Sequence, residues 1–279
     1  LILLRGYDKK DYLKLSGWKY ELVKVLMKSC ARLCLFLTCY TWVEHNKDYD
    51  VDYSEFLGPD WKAEWDGAPT YVANHTSWLD IMMMITYFYP GFVARSSVEK
   101  SWGVGPLATI LGSVYINRVD GSKDAKKAIF QEIMDRQNDF VAGKAKAKFA
   151  IFPEGATTNG KYLLSFKKGA FMSLNAVQPV TALSHSQVMQ VLPNTAIFLA
   201  NCSHPFKTLK VKIYPVFTPN DYFWKNHQKE GEEKVDTYIR VIRGIMMKHG
   251  GFLDGSQWRA EDRFEYIKAY RGLKTYKEE

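Results

Sequence analysis

From residue 69 onward, short apolar runs alternate with longer mixed segments, a rhythm that predicts strands joined by helices. The runs TYVAN (70–74), FVARSS (92–97), SVYINR (113–118), KFAIF (148–152), AVQPVTAL (176–183), TAIFLA (195–200) and LKVKIYPVF (209–217) read as strands. Between the third and fourth, Ala125, Ile129 and Ile133 recur at helical spacing, so this stretch reads as a strand, helix, strand unit. Residues 235–247, VDTYIRVIRGIMM, form the clearest amphipathic helix of a polar C-terminal part. At the other end, residues 22–43 are apolar enough in length to span a bilayer but carry Lys24, Lys28 and Arg32 four residues apart on one helical face. A basic stripe on an otherwise apolar helix suits the membrane interface better than its interior; an amphipathic helix packed on the domain is the plainer alternative. The charged, turn-rich residues 44–67 read as a linker. The expectation is an α/β fold, a mostly parallel sheet flanked by helices, with an N-terminal amphipathic membrane-associated helical segment. Its parts are residues 1–67, a core of 68–221 and a helical extension of 222–279 packed on that core.

Composition adds a direction to this outline. The 279 residues are 47% hydrophobic and 15% aromatic, ample for a packed core. A net charge of +8 favours an anionic partner: nucleic acid, an anionic membrane surface or a polyphosphate-bearing small molecule. Cys30, Cys34, Cys39 and Cys202 lack zinc or disulfide spacing and read as structural thiols in a reducing compartment. The chain begins at Leu1, and LILL leaves open a removed leader or an upstream span.

A histidine five residues before an aspartate occurs three times, at His45 and Asp50, His75 and Asp80, and His249 and Asp254. Context separates them. His45 lies in an acidic polar run and reads as a solvated loop residue. His249 precedes two glycines, as at a helix end, where a cationic imidazole suits the dipole. His75 directly follows the strand TYVA, and SWLDIMMMI after it reads as a helix with a polar start. Strand-to-helix corners are where α/β active sites collect. There Asp80 can accept a bond from one ring nitrogen and leave the other as a base for a hydroxyl. Asn74, Thr76 and Ser77 are placed to cap the helix or line the site.

Two motifs compete for a nucleotide. GATTNGK, residues 155–161, nearly fits a phosphate-binding loop, but Tyr162 stands where a hydroxyl should hold magnesium and Glu154 opposes a triphosphate. GVGPLA, residues 103–108, imitates a dinucleotide fingerprint without a strand before it. There is no G-x-S-x-G nucleophile elbow, and no histidine cluster has metal-ligand spacing.

The ordered set NHTSWLD, GSVYINR, FPEGATTNG and VQPV resembles the four sequence blocks of the glycerolipid acyltransferases that act on lysophospholipids. VKIYPVFTPND and the stretch around FKKGAF look more like the branch that reacylates lysophosphatidylcholine and lysophosphatidylethanolamine. The resemblance covers about residues 69–221; Ala156 departs from it, standing where many relatives carry threonine. It implies an enzyme in which His75, oriented by Asp80, deprotonates the glycerol hydroxyl of a lysophospholipid for direct attack on the thioester of acyl-CoA. Arg118 of the second block would contact phosphate. Glu154 and Gly155 of the third would position the acceptor, with backbone N–H groups near Gly155 available to an oxyanion. Pro179 of the fourth would shape the acyl-chain or CoA side, and Asn74 would lie beside the site. The partners implied are acyl-CoA as co-substrate, a lysophospholipid and a membrane surface, not nucleic acid, with no permanently bound cofactor and no metal. Lys144, Lys146, Lys148, Lys167 and Lys168 are candidates for attracting CoA phosphates or headgroups. The sequon at Asn74 would put a sugar on the site in a lumen, which favours the endoplasmic reticulum membrane with a cytosolic active face. The alternatives are a nucleotide-binding protein using residues 155–161, a transacylase that moves chains between lipids without CoA, and a non-enzymatic membrane or nucleic-acid binder.

Overall fold

The structure, a computed structural model, describes residues 17–101, 104–116, 123–145, 147–184, 199–200, 202–203, 206–270 and 272. The chain runs α1 (Gly17–Leu37), β1 (Trp42–Lys47), α2 (Ser54–Leu57), β2 (Thr70–Ala73), α3 (Leu79–Tyr87), β3 (Gly91–Arg95), α4 (Ser96–Glu99), α5 (Val104–Ile110) and β4 (Val114–Ile116). It continues with α6 (Lys123–Val141), β5 (Phe149–Ile151), β6 (Tyr162–Leu164), β7 (Val177–Ser184), β8 (Thr208–Ile213), α7 (Asp221–His227), α8 (Lys234–Gly250), β9 (Leu253–Gly255) and α9 (Ala260–Tyr270). Seven strands make one sheet in the order β1-β8-β7-β2-β5-β3-β4. Every neighbouring pair is parallel except β7 and β8.

Strand alternation assigns side chains to two cores. Tyr71 and Ala73 of β2, Ala150 of β5, and Val180 and Ala182 of β7 face a core closed by α1 and α3. Val72, Phe149, Ile151 and Val177 face the opposite core, closed by α6 and α8. β2 is buried along its whole length because both faces are covered. On α8 the buried Thr237, Tyr238, Val241, Ile242, Ile245 and Met246 recur at helical spacing, and left-handed Gly251 closes the helix.

Several predicted elements moved. The N-terminal helix ends at Leu37 rather than continuing to residue 43. Cys39 takes a left-handed conformation (φ 67°). Its N–H bonds Phe36 O at 2.9 Å, and Tyr40 N–H bonds Leu35 O at 2.9 Å. That double closure terminates the helix, and residues 42–47, expected as the end of the helix and the start of a linker, extend the sheet at its β1 edge. His45 is therefore a strand residue, stacked on Tyr87 with ring centroids 4.3 Å apart. Of the predicted strand 195–200, Leu199 and Ala200 are helical and the rest lies outside the described residues. The short pair β6 and β9 had too little apolar alternation to be legible.

α1 lies against α3 through Val23, Met27, Ala31 and Leu35. Its cations border that stripe. Lys28 Nζ donates to Tyr87 O at 3.3 Å, while Arg32 donates to Tyr40 O at 3.2 Å and Thr41 O at 3.1 Å. The far side of the helix exposes Trp18, Leu22, Val25, Leu26, Leu33 and Phe36. Among the described residues, no helix is long and apolar enough to cross a membrane. The two faces of α1 predict opposite outcomes on truncation. Leu35→Ala, at a side chain with 0% exposure, should destabilise by about 2–5 kcal/mol, and Leu33→Ala, 55% exposed, by less than about 0.5 kcal/mol. Urea unfolding of the two variants decides this, and equal losses would contradict the packing.

Candidate active site

β2 delivers Asn74 and His75 to its carboxyl end, the edge at which open α/β sheets place their ligands. Asn74 is buried and its amide is taken at both ends: Nδ2 donates to Ala182 O at 2.9 Å and Oδ1 accepts from Ala182 N at 2.7 Å. The side chain thus continues the β2–β7 ladder where the main chain leaves it. In that position it anchors the corner.

The histidine is held from four directions. Nδ1 lies 2.9 Å from Asp80 Oδ2. The ring stacks on Phe152, centroids 4.2 Å apart at 18°. The backbone N–H donates to Glu154 Oε1 at 2.9 Å, and the carbonyl accepts from Thr158 N at 2.7 Å. Asp80, in the first turn of α3 and 3% exposed, also accepts from Thr76 N at 2.5 Å, Ser77 N at 2.9 Å and Thr76 Oγ1 at 3.0 Å. With Asp80 accepting at Nδ1, the proton sits on Nδ1 and Nε2 keeps its lone pair. The imidazole side chain is 17% exposed.

Glu154 comes from the segment after β5, the neighbour of β2 in the sheet. It is 1% exposed, and its second oxygen accepts from Leu164 N at 3.1 Å. Burial pushes its carboxyl up to about 7; the amides of Leu164 and His75 pull it down, Asp80 adds to the rise and Arg243 opposes it. Both carboxylate oxygens are thus occupied by main-chain amides, so the residue braces the His75 corner from below. Gly155 has φ 71°, a left-handed conformation that glycine adopts without strain, and a Cβ there would press on the Lys167 side chain. Its N–H donates to Phe152 O at 3.1 Å and is not free for an oxyanion.

Pro179 is buried in β7 in register with Val72, three residues short of the level of His75. Arg118 and Lys146 lie outside the described residues. Lys167 pairs with Glu261 at 3.4 Å, Lys168 with Glu233 at 2.8 Å and Asp236 at 3.0 Å, and Lys148 with Asp66. The near phosphate-binding loop is contradicted by its surroundings. Residues 155–161 lead into β6 instead of a helix, so no helix N-terminus faces a phosphate, and Thr158 is bonded to His75. The other two histidine spacings also fall away. His249 stands in the last turn of α8 with its pKa lowered by burial, and Asp254 pairs with Arg243 at 2.5 Å. Among the described residues, no group of metal-ligating side chains converges on one point. Phe152 and Thr158 were missed from sequence, although Phe152 stands just before Pro153 and Glu154, where a strand meets the same corner.

The model of the family described as Acyltransferase matches residues 64–216. A lysophospholipid acyltransferase, LPEAT1, of Arabidopsis thaliana is 32% identical over 183 residues, covering 62% of this chain and 46% of the relative. Human lysophosphatidylcholine acyltransferase 2 is 30% identical over 189 residues, 64% of this chain and 32% of the relative. The chain thus spans less than half the length of these curated relatives. In the fold, the crystal structure of the 1-acyl-sn-glycerophosphate acyltransferase PlsC from Thermotoga maritima matches with TM-score 0.52 at 18% identity, covering 89% of this chain and 86% of that one. With the family match spanning more than half of its residues, this chain belongs to the acyltransferase family.

Proposed function

We propose that the chain is an acyl-CoA-dependent lysophospholipid acyltransferase working at a membrane surface. The observation that carries the reading is the 2.9 Å contact of His75 Nδ1 with a buried Asp80, which leaves Nε2 as the base. Nε2 takes the proton of the free glycerol hydroxyl as its oxygen attacks the thioester carbonyl. The tetrahedral adduct collapses, the C–S bond breaks, and the CoA thiolate recovers the proton from the imidazolium. No acyl-enzyme is required. Asp80 holds the ring in the correct tautomer and orientation throughout. The names of the relatives support a lysophospholipid acceptor. The apolar outer face of α1 supports seating on the bilayer beside the basic border of Lys24, Lys28 and Arg32. The family resemblance supports Arg118 as the phosphate contact, the cytosolic face of the endoplasmic reticulum as the location, and the division into an N-terminal segment, core and C-terminal extension.

Three outcomes are expected. Mixed with acyl-CoA and a panel of lysophospholipids, the protein should release free thiol. His75→Ala should lower kcat by about 10²–10⁴ and Asp80→Asn by about 10² or more, while His45→Ala and His249→Ala retain activity. Equal loss in all four variants would refute the site, and transfer without any CoA ester would indicate a transacylase. Flotation with anionic liposomes tests the surface: changing Leu22, Leu26, Leu33 and Phe36 together to serine should abolish binding without altering the fold, and unchanged flotation would refute it.

Glu154 sets a pH signature on stability. Its folded pKa is raised from 4.5 to about 7, so the unfolded chain gives up this proton first as pH rises. The group's contribution is complete below about pH 4.5 and is lost as pH rises through about 7. Glu154→Gln lacks this dependence. Between pH 5 and 8, therefore, the urea midpoint of the wild type should fall relative to that of the variant, and a constant difference would exclude the raised pKa.

A further inference from the structure

The region after residue 216 lies beyond the family match, yet one of its side chains reaches the catalytic corner. Arg243, on the amphipathic α8, has a side chain only 14% exposed. Its Nε donates to Leu164 O at 2.9 Å, and its Nη2 donates to Leu163 O at 2.5 Å and to Asp254 Oδ1 at 2.5 Å. Leu163 and Leu164 belong to β6, which pairs in parallel with β9 of the same C-terminal region. The carbonyl of Leu163 and the N–H of Leu164 are the two ends of one planar trans peptide and point in opposite directions. Gripping the oxygen therefore aims the N–H, and that N–H bonds Glu154 Oε2 at 3.1 Å. The other oxygen of Glu154 accepts from His75 N at 2.9 Å.

We propose that Arg243 is a positioning residue for acyl transfer: through the Leu163–Leu164 peptide it fixes the carboxylate of Glu154, and through Glu154 the backbone of the catalytic His75. The proposal rests on the acyltransfer reading for its kinetic consequence and on the hydrogen bonds alone for its structural one. Each contact in the chain strengthens the next, because a guanidinium at the carbonyl polarises the peptide and makes its N–H a better donor. The same positive charge favours an ionised Glu154, countering burial and the nearby Asp80. Asp254 completes the clamp from outside, its carboxyl held down to about 2, first by Arg243 and then by Ser256. Arginine is required here because three acceptors lie around one planar fork, an arrangement a lysine ammonium on a flexible stem cannot reproduce.

The test combines kinetics with a substrate-free measurement on the whole chain. Arg243→Ala should lower kcat by about 10- to 100-fold while KM for the lysophospholipid changes little. Glu154→Gln should do the same, since an amide can accept from only one of the two N–H groups. The double variant should be no slower than Glu154→Gln alone, because both lesions act through one carboxylate; additive losses would show that Arg243 only supports the fold and would overturn the proposal. Arg243→Lys should not restore the rate. In parallel, amide hydrogen exchange read by NMR should quicken at His75 and Leu164 in Arg243→Ala, with cooperative melting retained. Unchanged exchange there overturns the link whether or not the wild type transfers acyl groups, and absence of transfer by the wild type would refute only the functional reading. Asp254→Asn, at an exposed carboxylate, provides a second variant that leaves the core untouched: it should quicken exchange at the same two amides, and no change would count against the clamp.

Discussion

A carboxylate taken out of water has to find hydrogen bonds inside the protein, or the corner that contains it does not form. Asp80 finds four: the amides of Thr76 and Ser77, the hydroxyl of Thr76 and the ring nitrogen of His75. These donors all belong to the turn between β2 and α3, so satisfying the carboxylate folds that turn into one shape. The imidazole is the only titratable donor of the set, and its orientation is fixed as part of the same solution. The start of α3 contributes as well, since an acidic residue in the first turn faces unpaired amides and the positive end of the helix dipole.

The sheet supplies the second constraint. β2 and β5 are parallel neighbours, so the segments leaving their carboxyl ends emerge side by side. His75 follows one and Glu154 the other, and the bond from His75 N to Glu154 Oε1 ties the two segments together above the sheet. Asn74 performs the same task on the opposite flank by bonding both backbone groups of Ala182 on β7. Residues 155–161 fold back over the corner through Thr158, and a Cβ at Gly160 would meet Thr76 Cγ2 at 3.3 Å. The corner is thereby enclosed by three strands' worth of polar contacts, each using main-chain groups that packing alone would not orient.

Both chain ends of the described structure are built onto this core. α1 gives one stripe to α3 and keeps a second apolar face outward, which a single helix can do because its buried residues fall every fourth position and leave most of its circumference free. The C-terminal part enters more deeply, with β9 pairing with β6 and α8 closing the core opposite α1. The chemistry-bearing loop therefore lies between elements on both faces of the sheet.

Local pattern alone determined the alternation of strands and helices and the amphipathic stripe of α8 with its glycine stop, and it placed His75 and Asp80 at a strand-to-helix turn, although their five-residue spacing also occurs at His45 and His249. Those features depend on neighbours along the chain, and periodicity reports neighbours. Only the tertiary structure decided that Asn74 belongs to Ala182, 108 residues away, and that Glu154 holds the backbone of His75, 79 residues away. It also turned residues 42–47, divided by local pattern between helix and linker, into an edge strand, and brought Arg243 to Leu164 across 79 residues. None of these contacts leaves a periodic trace, because each is made between a side chain and the main chain, and every residue type presents the same carbonyl and, proline apart, the same amide. The identity of such a partner is set by the path of the backbone through space, which the sheet order fixes and the order of residues does not reveal.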